Sequence, residues 1–272
     1  MSRLDERFST LRRTRRTGLV TYVTAGDPDL PRSAAILRAL DRAGADVLEV
    51  GVPFSDPLAD GPVIQAATER ALAAGTTIGS VLDLVASLRA DVGAPIVIFT
   101  YANPVFRLGL DRFARRAAEV GVDGVLALDL PLEEASGFQA TMTGAGIDTI
   151  FLLSPTTTTE RIRRVAALGR GFLYAISRLG VTGARPSLAA GAEALVGRIR
   201  AETALPVALG FGISTPEQVQ EVGRWADAAV VGSALVQVIA ASADSPQLLE
   251  RVEGYVRWLK GGAAAPPAGG WA

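Results

Sequence analysis

The sequence predicts a single α/β domain folded as a (β/α)8 (TIM) barrel, with extra helices after the second strand and a long mobile loop after the sixth. Eight short runs rich in β-branched and apolar residues recur along the chain. Each is followed by a stretch with apolar residues at three- and four-residue steps, the alternation that builds βαβ units around a parallel sheet. Eight such units in about 250 residues match a closed barrel in size and count. A doubly wound open sheet is the alternative, but it rarely runs to eight regular units, and no GxGxxG follows the first run.

The runs are GLVTYVTAG from Gly18, DVLEVGVP from Asp46, PIVIFTYA from Pro95 and GVLALDLP from Gly124, then DTIFLLS from Asp148, GFLYAIS from Gly171, PVALGFG from Pro206 and AAVVGSA from Ala228. Helical spacing is plain in FARRAAEVGV from Phe113 and LLERVEGYVRWL from Leu248. Two stretches break the regularity. Residues 62 to 91 hold extra helical material, and RLGVTGARPSLAAG, between the sixth and seventh runs, is a long loop rich in glycine. Long loops at strand C-termini are where barrels carry function. The domain is placed at residues 1–260. The tail GGAAAPPAGGWA, residues 261–272, has the composition of a disordered end and is set outside the fold.

Composition narrows the chemistry. The chain has 27 Lys plus Arg against 28 Asp plus Glu, no His and no Cys, and Lys260 is its one lysine. Near-neutral charge without a basic cluster argues against a nucleic-acid partner. Without His or Cys there is no Ser-His-Asp hydrolysis, no thiol nucleophile and no ordinary zinc site, so no metal is expected. Lys260 lies in a terminal amphipathic segment, out of place for a Schiff base. Acid–base work falls to carboxylates and tyrosines. Arginines at 12, 13, 15 and 16 before an apolar run imitate a signal peptide, but the run is short and meets Gly26-Asp27-Pro28 in place of a cleavage site. No apolar stretch reaches the length of a membrane helix. The expected setting is the cytoplasm, with no membrane partner.

Glu49 interrupts an otherwise apolar strand. With period two it shares a face with Val47 and Gly51, so it points into the barrel near the C-terminal mouth, where partial desolvation would raise its pKa into the general acid–base range. The alternative is a buried Glu paired to an Arg. Asp56 and Asp60 follow in the loop PFSDPLADGP. Asp56 reads as a turn former or helix cap; Asp60 could also cap the next helix, or face Glu49 across a ligand, two carboxyls holding different protonation states. Glycines close the seventh and eighth runs. Gly212, Gly232 and Ser233, with ALVQVIAA as a following helix, suit a phosphate bound by backbone N–H groups; ordinary turns are the alternative. Tyr22, Phe99, Tyr101, Tyr174 and Phe211 sit on or at the ends of runs. Each alone reads as core; together they line the mouth for a flat apolar moiety, and Leu126 on the fourth run is counted with that wall.

The segments VTAGDPD, LEVGVPFSDPLADGPVIQ, YANP, GVDGVLALDLPLEE, SRLGVTGAR and GFGIST, in this order, resemble the tryptophan synthase α-subunit family over about residues 1 to 260. The resemblance implies cleavage of indole-3-glycerol phosphate to indole and glyceraldehyde 3-phosphate. It also implies passage of indole to a β subunit that carries pyridoxal phosphate, in an α2β2 complex, with no cofactor in this chain. It makes Glu49 the general acid–base and Asp60 its partner on the indole ring, and it implies that Thr182, beside Gly183 in the loop after the sixth run, closes onto the site and hydrogen-bonds Asp60. The family often has Phe where this chain has Tyr22. Phe99 and Leu128 stand at pocket positions where the family varies. A stand-alone lyase releasing free indole, and a non-catalytic regulatory subunit, are the competing readings.

Overall fold

The computed structural model describes residues 1–176, 191–210 and 212–262. The strands are β1 (Gly18–Thr24), β2 (Val47–Gly51), β3 (Ile96–Thr100), β4 (Gly124–Ala127), β5 (Asp148–Thr149), β6 (Phe151–Leu153), β7 (Leu173–Ile176), β8 (Val207–Gly210) and β9 (Ala228–Val231). The helices are α1 (Arg3–Thr14), α2 (Leu30–Arg42), α3 (Pro62–Ala73), α4 (Ile78–Leu88), α5 (Ala102–Leu108), α6 (Leu110–Glu119), α7 (Ala135–Gly144), α8 (Thr159–Leu168), α9 (Ala192–Arg200), α10 (Pro216–Val222), α11 (Ser233–Ser242) and α12 (Leu248–Leu259).

All pairings are parallel, in the order β5-β4-β3-β2-β1-β9-β8-β7-β6. β5 and β6 are one strand interrupted at Ile150. Its first part pairs with β4 (Gly124↔Asp148) and its second with β7 (Leu152↔Tyr174), so residues 148–153 join the two ends of the sheet and complete the barrel. The predicted eight-stranded barrel is the observed fold, and the extra material after the second strand is α3 and α4. The expected tail, residues 261–272, lies outside the described residues from 263 onward, and the loop expected after the sixth strand lies outside them at 177–190.

Strand alternation separates two cores. Leu19, Val23, Leu48, Val50, Ile96, Ile98, Leu209 and Val231 face out and pack under the helices, whereas Val20, Val47, Val97, Leu126, Ile150, Ala208, Ala228 and Val230 fill the barrel interior. The floor of that interior is closed by α1, a helix absent from the sequence-based expectation. Ser2 caps it in a capping box with Asp5, and Leu4, Phe8 and Leu11 turn one face into the barrel, where the Phe8 ring lies 5.3 Å from that of Phe172.

Around this floor, aspartates at the strand starts bind neighbouring strands and α1. Asp46 accepts from Leu19 N–H, Asp123 from Ile96 N–H and Asp227 from Val207 N–H. Arg3 reaches Asp123, Arg12 reaches Asp227 and the Ser2 hydroxyl donates to Asp148. Lys260 pairs with Asp46 at 2.8 Å, so the one lysine serves the floor, opposite the C-terminal mouth.

Candidate active site

Glu49 sits at the middle of β2, directly above Val47 on the inward face, and is 1% exposed. Its Oε1 is buried with no hydrogen-bond partner among the described residues, and no described arginine pairs with it. The ion-pair alternative is therefore not what the fold builds. Burial pushes this carboxyl up to about 8, so it is protonated at neutral pH.

After β2 the chain leaves the barrel mouth and returns. The Ser55 hydroxyl donates to Asp56, Leu58 N–H donates to Asp56 O, and Asp60 N–H donates to Pro57 O. Asp56 is exposed and forms this turn. Asp60 does not cap α3; Gly61 occupies the cap position, and the Gln65 amide donates to the Asp60 carbonyl. The Asp60 side chain is instead buried at the mouth, with Tyr101 Oη donating to Oδ2 at 3.3 Å. Burial raises its carboxyl to about 6, against the opposing pull of the Tyr101 hydrogen bond. At pH 7 the two carboxyls thus hold opposite states, Glu49 neutral and Asp60 ionised.

Both line one cleft whose empty space, its open mouth included, is about 650 Å³. Tyr22, Phe99, Leu128, Leu152, Tyr174 and Ile64 supply its apolar walls. The Tyr22 ring meets Phe99 edge-on at 5.3 Å, and its hydroxyl, tucked against Gly51, shares a 3.3 Å hydrogen bond with Thr24. This phenol therefore has a partner, which removes the 1–3 kcal/mol or so that an orphaned hydroxyl would cost. Tyr174 lies over Gly210. Burial first, then Glu49 once it is ionised, keeps it un-ionised.

Gly212, Gly232 and Ser233 come together on the same cleft. Ser233 opens α11, with Gly232 at its cap, so the first turn of that helix turns free N–H groups and the positive end of its dipole toward the cavity. Gly212 has φ +90°, a conformation that side-chain-bearing residues rarely adopt.

Some expected residues stand elsewhere. Leu126 faces inward, but it lies two residues below the wall, about 6.6 Å deeper at the rise of a strand, in the barrel core; Leu128 takes the wall position. Tyr101 stands behind Asp60 and does not line the cleft. Phe211, Thr182 and Gly183 lie outside the described residues. Leu152 and Ile64 were missed. Leu152 is one inward step above Ile150, but the interruption of that strand hides its facing, and Ile64 reads as an ordinary apolar position of α3. Among the described residues no group of three or more His, Cys, Asp or Glu is placed to hold a metal ion. The arrangement suits a ligand with a flat apolar ring, a proton acceptor over Glu49, a polar ring atom at Asp60 and an anion at α11.

Residues 8–263 match the family model of the tryptophan synthase alpha chain. The tryptophan synthase alpha chain of Solibacter usitatus is 49% identical over 265 residues, covering 97% of this chain and 99% of its own. That of Citrifermentans bemidjiense is 50% identical over 262 residues, covering 96% and 98%. Among solved structures, tryptophan synthase subunit alpha from Legionella pneumophila superposes with a TM-score of 0.88 at 36% identity, covering 96% of this chain and 98% of its own. A chain of Mycobacterium tuberculosis tryptophan synthase superposes with 0.89 at 38%, covering 97% and 99%. On sequence and on structure alike, this chain belongs to the tryptophan synthase alpha chain family.

Proposed function

We propose that this chain is the α subunit that cleaves indole-3-glycerol phosphate to indole and glyceraldehyde 3-phosphate, with Glu49 as general acid–base and Asp60 as the group that holds the indole nitrogen. The observation that carries the assignment of roles is the placement of two buried carboxyls, Glu49 inside the barrel and Asp60 at its mouth, on one apolar cleft; burial raises both, Glu49 further than Asp60.

A retro-aldol cleavage needs an electron sink. Here the substrate's own ring serves. Neutral Glu49 delivers its proton to indole C3, and positive charge develops at N1, where the ionised Asp60 accepts the N–H and stabilises it. The Glu49 carboxylate then takes the proton from the hydroxyl on the carbon attached to C3. That C–O becomes a carbonyl, the bond to C3 breaks, its electron pair restores the aromatic ring, and Glu49 is protonated again for the next turnover. Tyr22, Phe99, Leu128 and Leu152 hold the ring, and the phosphate lies at Gly212, Gly232 and Ser233, where the α11 N-terminus favours an anion.

No cofactor is assigned to this chain. Its partner is a tryptophan synthase β subunit carrying pyridoxal phosphate, assembled as α2β2, and the setting is the cytoplasm. Among the described residues no single helix is long and apolar enough to cross a membrane. The test is indole release from indole-3-glycerol phosphate by the isolated chain and by its mixture with a β subunit. Release that rises on mixing supports the reading, full turnover unaffected by the β subunit would point to a stand-alone lyase, and no release in either sample would overturn it.

A further inference from the structure

Tyr101 is held at the end of β3 as a fixed post. Its carbonyl accepts from the Thr100 hydroxyl at 2.9 Å, and the next peptide, Ala102 N–H, donates to Asp129 at 2.7 Å. From this post the side chain reaches both ends of the loop that carries Asp60. Its ring packs on Phe54 at 5.2 Å, at the start of the loop. Its hydroxyl accepts from Ala59 N–H at 3.2 Å and donates to Asp60 Oδ2 at 3.3 Å, at the far end. Between these tethers the loop stands in solvent, with Ser55 and Asp56 exposed and Leu58 91% exposed. The middle of the loop thus has little burial of its own to orient Asp60.

We propose that Tyr101 is a positioning residue for the cleavage: its hydroxyl, clamped between the Ala59 peptide and Asp60, fixes the Asp60 carboxylate toward the cleft. This rests on the reading of Asp60 given under Proposed function. One phenol oxygen accepts from a backbone N–H and spends its single proton on a carboxylate, which is possible only while the phenol is un-ionised. Burial and the charges of Asp60 and Asp129 keep it so. The ionisable groups around the pair are Tyr22 of β1, Glu49 of β2 and Asp129 beyond β4, all neutral or negative, and no described cation pairs with Asp60. Among the described residues, the hydrogen bond from Tyr101 is what favours the Asp60 carboxylate against its burial.

The experiment compares the full chain with its Tyr101→Phe variant, which keeps the ring and its stack on Phe54 and deletes the hydroxyl. Two readouts are taken: kcat and KM for indole-3-glycerol phosphate across pH, and the titration of the Asp60 carboxyl by 13C NMR in the ligand-free protein. The expected result is a kcat lowered about 3- to 10-fold with KM within about twofold. The acid limb of the profile and the Asp60 titration should both move up by about 0.5 to 1 pH unit, the scale of one hydrogen bond. An unmoved titration with an unmoved acid limb would reduce Tyr101 to packing, and a Tyr101→Phe chain that failed to fold would assign it to stability; either overturns the proposal. If wild type released no indole, the functional reading would fail, while the NMR titration would still decide whether Tyr101 governs Asp60.

Discussion

Replacing Glu49 with Gln should abolish cleavage and stabilise the protein, and the size of the stabilisation should depend on pH. In the folded chain this carboxyl is buried, with Oε1 lacking a partner among the described residues, and titrates at about 8; in the unfolded chain it returns to its ordinary value of 4.5. Between those values the unfolded state gives up a proton that the folded state keeps. The raised pKa therefore contributes a stability fully present below pH 4.5 and lost as pH rises to about 8, at about 1.4 kcal/mol per pH unit. From pH 5 to pH 8 the wild type should lose about 3 kcal/mol through this one group. Gln is nearly isosteric with the neutral acid and does not titrate, so the variant keeps what the wild type loses. The gap should be about 1 kcal/mol at pH 5 and reach about 4 kcal/mol at pH 8, the latter roughly 8 to 16 °C in melting temperature for a chain of this size. Thermal or urea unfolding of both proteins at the two pH values measures it, and indole release should fall by about 10²- to 10⁴-fold in the variant. A stability gap that did not widen with pH would refute the buried, unpaired carboxyl, and near wild-type turnover by the folded Gln variant would refute its role as the acid.

Other outcomes follow from the same structure. The pH profile of kcat/KM should be a bell, falling below about 6 as Asp60 takes up a proton and above about 8 as Glu49 loses its own, and a profile flat through pH 5 to 9 would contradict the paired roles. Gly232→Ala adds a methyl 3.5 Å from Tyr22 Cβ, an ordinary contact, so the barrel should fold while KM for the phosphorylated substrate rises; unchanged KM would move the anion elsewhere. Phe8→Ala, which empties the floor of the barrel beside Phe172, should cost about 3 to 5 kcal/mol in unfolding experiments without changing KM.

The barrel was legible from local pattern because each strand must bury one face inward and the other under a helix, and that demand writes apolar runs separated by helical spacing into the chain. Glu49 was legible for the same reason. Period two puts it beside Val47, and a lone carboxylate on an apolar face stands out. α1 had a readable cap and an apolar stripe at Leu4, Phe8 and Leu11, yet its docking at the barrel floor depends on aspartates as distant as Asp123, Asp148 and Asp227. Depth along a strand was not legible: Leu126 and Leu128 share one face, and the height of the cavity floor between them follows from how all the strands are staggered. The break at Ile150, which hides the facing of Leu152, comes from pairing with two different neighbours, a condition that local sequence does not carry. For Asp60, residue type left both capping and catalysis open. Its side chain is tied to Tyr101, 41 residues along the chain, and the two carboxyls titrate apart because burial alone acts on Glu49 while the Tyr101 hydrogen bond opposes burial at Asp60, conditions that exist only once the barrel has closed around them.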